Sequence, residues 1–436
     1  MTYKIVLVGG GGREDALARK LFEDGAEIVS IMPNDNPSIR SLSSETLVTQ
    51  SMNTDLLVNY IKDKKPDLVF VGPDGYLETN LVDKLLMTKI KIASPSSEAF
   101  KIESSKIFMR QLMRRYGIQG NLKYDVIDDQ YNAKTLLMDT EREFAIKPVG
   151  LTGGKGVKLT NLHFGNRADA INYANEIIRR DKRVLIEEAV FGEEFSMQLF
   201  SDGSDVLFAP IAQDFKRLEE RDQGPNTGGM GSITDKDMRL PFITSSNYEK
   251  AKQISRKFVT SMYDDGQMFK GVMYVQFMQT PSELKVIEVN GRLGDPEGMN
   301  ILTLMSGDSV DLLFRIANAE ISGAKINFRK NATTLKYLVP PGYGTDPVPG
   351  NLTVNLAGLP EHVKIYYSSV NGTLADVQMT KSRGLAILAE GESIEEASDT
   401  VEKNLWRVGG KFKMRHDIGT SEMLQKKREA VKNLKN

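Results

Sequence analysis

Short apolar runs alternate with helix-like stretches over the first part of the chain. The runs have the length and composition of buried strands, at 3–8, 27–32 and 68–71. Apolar residues recur at helical spacing in 13–23 and 55–62. This alternation predicts a parallel α/β domain over about residues 1–100. Such sheets bind ligands beyond the carboxyl ends of their strands, where this chain has 9–12, 33–36 and 72–76.

The rest of the chain has a different pattern. Residues 104–116 predict a helix, with Ser104 as its cap. Strands are expected at 144–148 and 184–188 with a helix at 166–180 between them, and 271–278 with 285–289 favours a strand pair. After about residue 325 the pattern changes to short strands, at 332–339 and 386–389, and then a helix at 394–405. The chain therefore ends in a separate, β-rich part.

Composition narrows the possible chemistry. The 436 residues suffice for roughly two to four domains, and 57 basic against 58 acidic residues give no reason to expect binding to nucleic acid or an anionic membrane. Cysteine is absent and the three histidines lie far apart, which excludes disulfides and thiol catalysis and favours oxygen ligands for any metal. The apolar N-terminus predicts a strand rather than a signal peptide, and no run approaches the about 18 residues of a membrane span. We expect a cytoplasmic protein.

The most informative segment is the glycine-rich run QGPNTGGMGSI at 223–233. Glycine loses much conformational freedom on folding, so this run predicts a backbone that approaches a ligand closely. The segment AQDFKR at 212–217 precedes it, and IEVNGRLGDPEG at 287–298 follows it. Both contribute charged side chains, so the three segments together predict a polar binding site.

A second glycine-rich segment, GLTGGKGV at 150–157, follows Lys147. Its backbone N–H groups could cradle phosphate oxygens while a lysine supplies charge. It is not a Walker A loop, because GxxxxGK[ST] is absent. A plain hairpin turn explains the segment equally well, so by itself it leaves phosphate binding open.

A candidate metal site lies on the predicted strand pair. Glu288 and Asn290 are two residues apart on one strand, so both side chains point to the same face. Their oxygen atoms suit Mg²⁺ that also binds phosphates. Gln276 on the partner strand could add its carbonyl oxygen. An ordinary polar strand face is the alternative, and it explains Gln276 more readily than the other two.

The combination of GPNTGGMG, RLGDPE and the N-terminal GGGGRE resembles the phosphoribosylamine–glycine ligase family, ATP-grasp ligases of purine synthesis. The resemblance extends over nearly the whole chain. It implies a multidomain α/β and α+β protein with an N-terminal α/β substrate-binding domain at 1–100, an ATP-grasp domain at 101–325 with a lid subdomain at about 122–190, and a β-rich C-terminal domain at 326–436. We expect a monomer or small homo-oligomer whose partners are small molecules, with no nucleic acid and no membrane.

The resemblance also implies which residues bind ATP and its metal. The matching ATP-binding positions, from the phosphates through the adenine hinge to the ribose, are Lys106, Lys147, Gly153, Gly154, Lys155, Glu187, Glu188, Val190 and Glu194. The cation would be Mg²⁺ or Mn²⁺, held by Gln276, Glu288 and Asn290.

In this family glycine's carboxylate attacks the γ-phosphate of ATP, and the amine of 5-phosphoribosylamine then displaces phosphate from glycyl phosphate. The resemblance implies that Arg292 stabilises the transferring phosphoryl group, that Asp214 binds glycine's ammonium and that Lys216 holds substrate. The implied substrate-binding positions are Gly11, Arg13, Glu14, Asn226, Thr227, Gly228, Gly229 and Asp295. Asp295 is expected to orient Arg292 through a bidentate pair. A structural network of ion pairs is the alternative for these charges.

Two departures from the family pattern concern the amine substrate. Asp15 stands where the family has His in GREHAL, and GPDGYL at 72–77 replaces GPEAPL. An ATP-grasp ligase with another amine acceptor is therefore one alternative. An oxidoreductase that binds a dinucleotide at 9–12 is another, although it leaves GPNTGGMG unexplained. A catalytically silent nucleotide-binding regulator is a third.

The segment 150–157 generates the first testable prediction. If it covers the phosphates, shortening it removes N–H donors and raises the KM for ATP. Steady-state kinetics of the truncated protein measure this effect, and an unchanged KM would contradict the assignment.

Overall fold

The computed structural model describes residues 2–139, 142–151 and 156–433. Its N-terminal strands are β1 (Lys4–Val8), β2 (Glu27–Met32), β3 (Ser43–Val48), β4 (Leu68–Val71) and β5 (Lys91–Ile92). The helices between them are α1 (Gly12–Glu23), α2 (Pro37–Leu42), α3 (Thr54–Asp63), α4 (Asp74–Leu77) and α5 (Leu81–Leu86). All strands pair in parallel, in the order β3-β2-β1-β4-β5, as the alternating pattern predicts. The loops after β1 and β4 therefore meet at the point where the strand order reverses.

The predicted span 104–116 contains the last residue of one helix and the whole of a second. They are α6 (Ser97–Ser104) and α7 (Lys106–Arg115), and Ser105 between them has an extended backbone. The Ser105 hydroxyl accepts a hydrogen bond from Phe108 N at 3.2 Å. The cap prediction for Ser104 was therefore wrong by one residue, because the chain turns at Ser105 and starts a new helix there.

An antiparallel sheet follows, in the order β6-β9-β7-β8. Its elements are β6 (Tyr124–Ile127), α8 (Gln130–Met138), β7 (Phe144–Pro148), β8 (Lys158–Leu159), α9 (Arg167–Asp181) and β9 (Val184–Glu188). Helices α8 and α9 bury their apolar faces against this sheet in a small core of its own, which includes Ala133, Leu137, Ile146, Ala174 and Ile186.

The central sheet has the order β11-β10-β16-β17. The elements of this part are β10 (Glu193–Asp202), β11 (Val206–Phe208), β12 (Gln213–Asp214), β13 (Arg217–Glu219), β14 (Gln223–Asn226), β15 (Gly231–Thr234), α10 (Ser245–Asp264), β16 (Lys270–Gln279), β17 (Leu284–Asn290), α11 (Glu297–Leu304), β18 (Met305–Ser306) and α12 (Ser309–Asn318). Strands β16 and β17 form the predicted antiparallel pair, with Gln276 opposite Glu288. Among the described residues no helix is long and apolar enough to cross a membrane.

The C-terminal elements are β19 (Asn327–Phe328), β20 (Ala332–Leu338), β21 (Asn351–Val354), β22 (Val363–Tyr367), β23 (Val370–Gly372), β24 (Asp376–Met379), β25 (Leu385–Gly391), α13 (Ile394–Asn404), β26 (Val408–Gly410) and α14 (Ser421–Asn433). Strands β12 and β15 join β20, β25 and β22 in one antiparallel sheet. The glycine-rich run between β14 and β15 is thereby tied to the C-terminal strands.

A buried arginine on α7 connects the sheet β6-β9-β7-β8 with the central sheet. The Arg110 side chain on α7 has no solvent exposure and pairs with Glu187 of β9 at 2.6 Å. It also donates to the carbonyl oxygens of Val286 and Ile287 on β17, each at 3.0 Å. One guanidinium group therefore holds the sheet β6–β9 against the central sheet.

Replacing Arg110 tests this connection. Arg110→Leu leaves a buried carboxylate with one cation fewer, and we expect the free energy of unfolding to fall by about 3–5 kcal/mol. Arg115→Leu on the same helix removes a cation that is itself largely exposed to solvent, although its partner Asp265 is not, and is expected to cost less than about 1 kcal/mol. Urea unfolding compares the two variants, and equal losses would contradict the structural role of Arg110.

Candidate active site

Two adjoining cavities lie between these sheets. One, of about 360 Å³, is lined by apolar side chains of the two sheets and by the segment Glu188, Ala189 and Val190. The other, of about 400 Å³, reaches the loops after β1 and β4 and includes Arg13 and Asp74. Lys147, Glu194, Asp214 and Lys216 border both cavities. We call the first the hinge cavity and the second the substrate cavity.

The hinge cavity has both apolar and charged walls. Leu122, Ala145, Leu159, Met278 and Ile287 contribute its apolar walls. Predicted residues Glu188 and Val190 lie at its edge, and Glu188 accepts a hydrogen bond from Lys123 N at 3.0 Å. Predicted residues Gly153, Gly154 and Lys155 lie outside the described residues.

Two of the predicted lysines, Lys106 and Lys147, border the substrate cavity. Lys147 ends β7 and pairs with Glu187 at 2.5 Å, and Lys106 at the start of α7 donates to Gly150 O at 2.7 Å. Burial lowers the pKa of Lys106, and the charge of Lys147 lowers it further. Burial would raise the pKa of Glu187, but Arg110 and Lys147 outweigh it and lower the pKa to about 2. Glu187 therefore stays ionised and fixes the position of the Lys147 ammonium through their ion pair.

Glu193 and Glu194 point to opposite sides of β10, as adjacent strand residues do. Glu193 pairs with Lys427 of α14 at 2.9 Å. Glu194 accepts from the Gln276 amide at 2.7 Å and lies 3.5 Å from the Lys216 ammonium. Of the two acids, Glu194 borders the substrate cavity.

The three predicted metal ligands separate into two groups. Glu288 and Asn290 project from β17 into the substrate cavity, and their side chains lie 3.5 Å apart. Burial would raise the pKa of Glu288, but Lys216, Lys147 and Lys106 outweigh it and lower it. Gln276 is completely buried, and its two ends bond Glu194 and the Tyr274 hydroxyl. Gln276 is thus placed to hold Glu194.

Besides Glu194, the carboxylates of Asp214 and Glu297 act on the charge of Lys216 in the substrate cavity. Asp214 lies 3.7 Å from the Lys216 ammonium, and its Oδ1 atom has no hydrogen-bond partner among the described residues. Glu297, at the start of α11, is buried with Tyr274 and Asp214 around it. Burial and then the Asp214 charge raise the pKa of Glu297 to about 7. The pair is suited to receive a positively charged group, which would favour both ionised forms.

Arg292 does not pair with Asp295 as predicted. Its guanidinium lies 3.3 Å from Glu103, a buried residue of α6 that also accepts from Gly291 N at 2.7 Å. Asp295 instead lies 3.1 Å from Arg383 and accepts from the Tyr337 hydroxyl at 2.6 Å. Arg292 and Asp295 therefore belong to two separate ion pairs, one with Glu103 and the other with Arg383.

The loop after β1 contributes one charged side chain to the cavity. Arg13 borders it, donates to Leu293 O at 3.0 Å and lies 3.7 Å from Asp74. Glu14 is buried and accepts from Arg13 at 2.7 Å and from Gly11 N at 2.9 Å. Gly11 and Glu14 therefore shape the loop that presents Arg13.

The two departures from the family pattern have different surroundings. Asp15 is fully buried and bonds Ser38 and the backbone N–H of Tyr367, so it belongs to the packing of α1. Asp74 borders the substrate cavity, where burial would raise its pKa but Arg292 and Arg13 lower it. Of the two, Asp74 is the one that lines the cavity.

The predicted glycine-rich residues also border the cavity. Asn226, Thr227 and Gly228 line it, and the Thr227 hydroxyl donates to Lys216 O at 2.8 Å while accepting from Gly229 N. A side chain at Gly229 would place Cβ 2.7 Å from Pro296, and its φ is +109°. Glycine is required here because two backbone loops pack directly on each other.

Several residues at or next to the substrate cavity were not in the predicted set, among them Glu297 and Arg383 in its wall and Glu103, which pairs with Arg292. Glu297 is the last residue of the RLGDPE motif, so the sequence did indicate this position. Glu103 and Arg383 lie in segments without a glycine-rich or paired-acid pattern, and only folding brings them to Arg292 and Asp295.

Comparisons with known proteins agree with this geometry. One solved structure with the same fold is the phosphoribosylamine–glycine ligase of Thermotoga maritima, with a TM-score of 0.78 and 24% identity, which covers 95% of this chain and 100% of that chain. Another is the biotin carboxylase β,γ-ATP complex of Campylobacter jejuni, with a TM-score of 0.76 and 15% identity, which covers 98% of this chain and 95% of that chain. The family models that match are "Phosphoribosylglycinamide synthetase, N domain" over 3–103 and "Phosphoribosylglycinamide synthetase, ATP-grasp (A) domain" over 104–298. Fold and cavity together define an ATP-grasp enzyme.

Similar sequences identify the family within this class. The phosphoribosylamine–glycine ligase of Methanocella arvoryzae is 39% identical over 98% of both chains, and that of Thermococcus kodakarensis is 38% identical over 98% of this chain and 99% of its own. The chain belongs to the phosphoribosylamine–glycine ligase family, ATP-dependent ligases of purine biosynthesis.

The buried Glu297 predicts a pH dependence of stability. The pKa of Glu297 is raised from 4.5 to about 7. Between about pH 4.5 and pH 7 the folded protein therefore binds more protons than the unfolded chain, and its stability falls as the pH rises. Glu297→Gln removes this loss, and we expect it to gain on the order of 2 kcal/mol relative to wild type between pH 5 and pH 8. Urea unfolding of the ligand-free protein at both pH values measures it, with the exposed Glu361→Gln as control. A gain that is independent of pH would contradict the raised pKa.

Proposed function

We propose that this enzyme joins glycine to 5-phosphoribosylamine through a glycyl phosphate, in the cytoplasm, with ATP and Mg²⁺ or Mn²⁺. The observation that carries the proposal is the continuity of the two cavities. The hinge cavity, with its apolar side chains from the two sheets, shares Lys147, Asp214 and Lys216 with the substrate cavity, which also contains Arg292. ATP and two small substrates therefore have room to meet in one place.

The nucleotide occupies the hinge cavity, and its phosphates extend toward the substrate cavity. The adenine ring lies in the hinge cavity beside Ala189 and Val190, and Glu194 binds the ribose. Lys106 and Lys147 neutralise the phosphates. Both lysines are largely desolvated, so their charges act in a medium that screens them weakly.

Glu288 and Asn290 fit a divalent cation. Both offer oxygen atoms from one strand face into the substrate cavity, and Glu288 is held in its ionised form. Groups of three His, Cys, Asp or Glu side chains that could hold an ion are absent from the described part of the chain. That agrees with Mg²⁺ or Mn²⁺, which take few protein ligands and complete their shell with phosphates and water. When bound, the cation would neutralise charge on the phosphates.

The substrate cavity positions the reactants for two consecutive steps. Asp214 Oδ1, a buried acceptor, would receive a hydrogen bond from glycine's ammonium. A glycine carboxylate oxygen then attacks the γ-phosphorus, the bond to ADP breaks, and Arg292 stabilises the charge on the transferring group. The amine of phosphoribosylamine next attacks the carbonyl carbon of glycyl phosphate, and inorganic phosphate leaves.

The experiment is ADP release by the purified protein with ATP, Mg²⁺ and glycine, with and without freshly generated 5-phosphoribosylamine. We expect release to require both glycine and the amine, and Arg292→Lys to lower kcat by about 100-fold because a lysine lacks the planar fork. Release that requires glycine but not phosphoribosylamine would assign another amine, which Asp74 would help to select. Turnover without glycine would contradict the proposal.

A further inference from the structure

The C-terminal part of the chain reaches the active site through one side chain. Arg383 lies between β24 and β25, outside both matching family models, and its side chain is 14% exposed. It borders the substrate cavity together with Gly228 and Asp295. Its contacts show which parts of the site it holds.

Arg383 contacts both loops of the substrate cavity. Its Nη1 atom donates to Gly228 O in the glycine-rich run and to Asp295 O at 2.9 Å. Its Nη2 atom lies 3.1 Å from the Asp295 carboxylate. One planar group therefore bonds two segments that are far apart in sequence, a geometry that the fork of arginine allows and a lysine does not.

Tyr337 supports this arrangement from β20. The Arg383 guanidinium lies 4.7 Å from the centre of the Tyr337 ring, and the Tyr337 hydroxyl donates to Asp295 at 2.6 Å. Ser368 lies 3.5 Å from that hydroxyl and accepts from Gly12 N at 3.3 Å. The contacts thus continue to the loop after β1, which presents Arg13.

The backbone at Gly228 packs closely against the Arg383 side chain. A Cβ atom there would lie 3.3 Å from Cζ of Arg383 and 3.4 Å from the Tyr343 hydroxyl. The backbone approaches an arginine of the same chain, whereas the sequence alone suggested a close approach to a ligand. Arg383 and Gly228 are therefore parts of one contact.

We propose that Arg383 is a positioning residue of the ligase reaction, which holds the glycine-rich run and the Asp295 loop in register at the substrate end of the site. The inference rests on the proposed assignment of this end to glycine and phosphoribosylamine. The Lys106 and Lys147 end contains no contact with Arg383 among the described residues, so ATP binding is not expected to depend on it.

The test is steady-state kinetics of Arg383→Ala and Arg383→Lys. We expect kcat to fall by roughly 10- to 100-fold in both, because misplacement of the substrate loops by about 1 Å has effects of this size. The KM for ATP should stay within about twofold of wild type, because the nucleotide end keeps its contacts. Added guanidinium ion, at concentrations far below those that unfold proteins, should restore part of the activity of Arg383→Ala and none of that of Arg383→Lys.

The matched control is Arg329→Ala. Arg329 also lies in the C-terminal part and pairs with Glu390 at 2.7 Å, away from the substrate cavity. It should keep wild-type kinetics. If Arg383→Ala fails to fold, Arg383→Lys decides the question, since it keeps the charge, removes the planar fork and should lower kcat with the same unchanged KM for ATP.

Wild-type kinetics in folded Arg383→Ala, or an equal effect from Arg329→Ala, would overturn the positioning role. A rise in the KM for ATP that parallels the loss of kcat would also overturn it. Failure of the wild-type enzyme to require glycine and phosphoribosylamine would instead contradict the proposed function and is seen before any variant is compared.

Discussion

The buried charge network of Arg110, Glu187 and Lys147 is the interaction on which the site depends. Taking three charges out of water costs several kcal/mol per ion, and only mutual pairing with good geometry offsets this cost. Arg110 meets the requirement by bonding Glu187 and two backbone carbonyl groups of β17. The same geometry places the Lys147 ammonium at the junction of the two cavities. The network that stabilises the contact between the two sheets therefore also fixes the position of Lys147, to which the proposed function assigns the phosphates of ATP.

The substrate cavity is assembled from segments distributed along the whole chain. The loop after β1, the glycine-rich run, the end of β17 and the C-terminal strands each contribute to its walls. Glycine occurs where these segments touch, at Gly72 against Glu14 and at Gly229 against Pro296, since a Cβ atom would overlap its neighbour. Backbone packing between segments explains these glycines without a ligand.

Local patterns predicted much of the secondary structure and the composition of the site. Strands β2, β4, β7 and β9 have the bounds that apolar runs of strand length indicate. Strand β3 was missed because its residues, SSETLV, are polar and half-exposed at the sheet edge. The Ser104 cap and the pair between Asp295 and Arg292 were wrong, since a capping shift and a choice of ion-pair partner are decided by the surrounding structure.

By itself the sequence determined the family and the alternation of strands and helices, and it indicated many of the residues that line the cavities, because these depend on residue types at short spacing. Only the tertiary structure decided which charges pair. Glu103 holds Arg292, and Arg383 holds Asp295, although 189 and 88 residues of chain separate the two members of each pair. An ion pair forms between the groups that packing brings within a few ångströms, and that distance depends on the whole fold rather than on position along the chain.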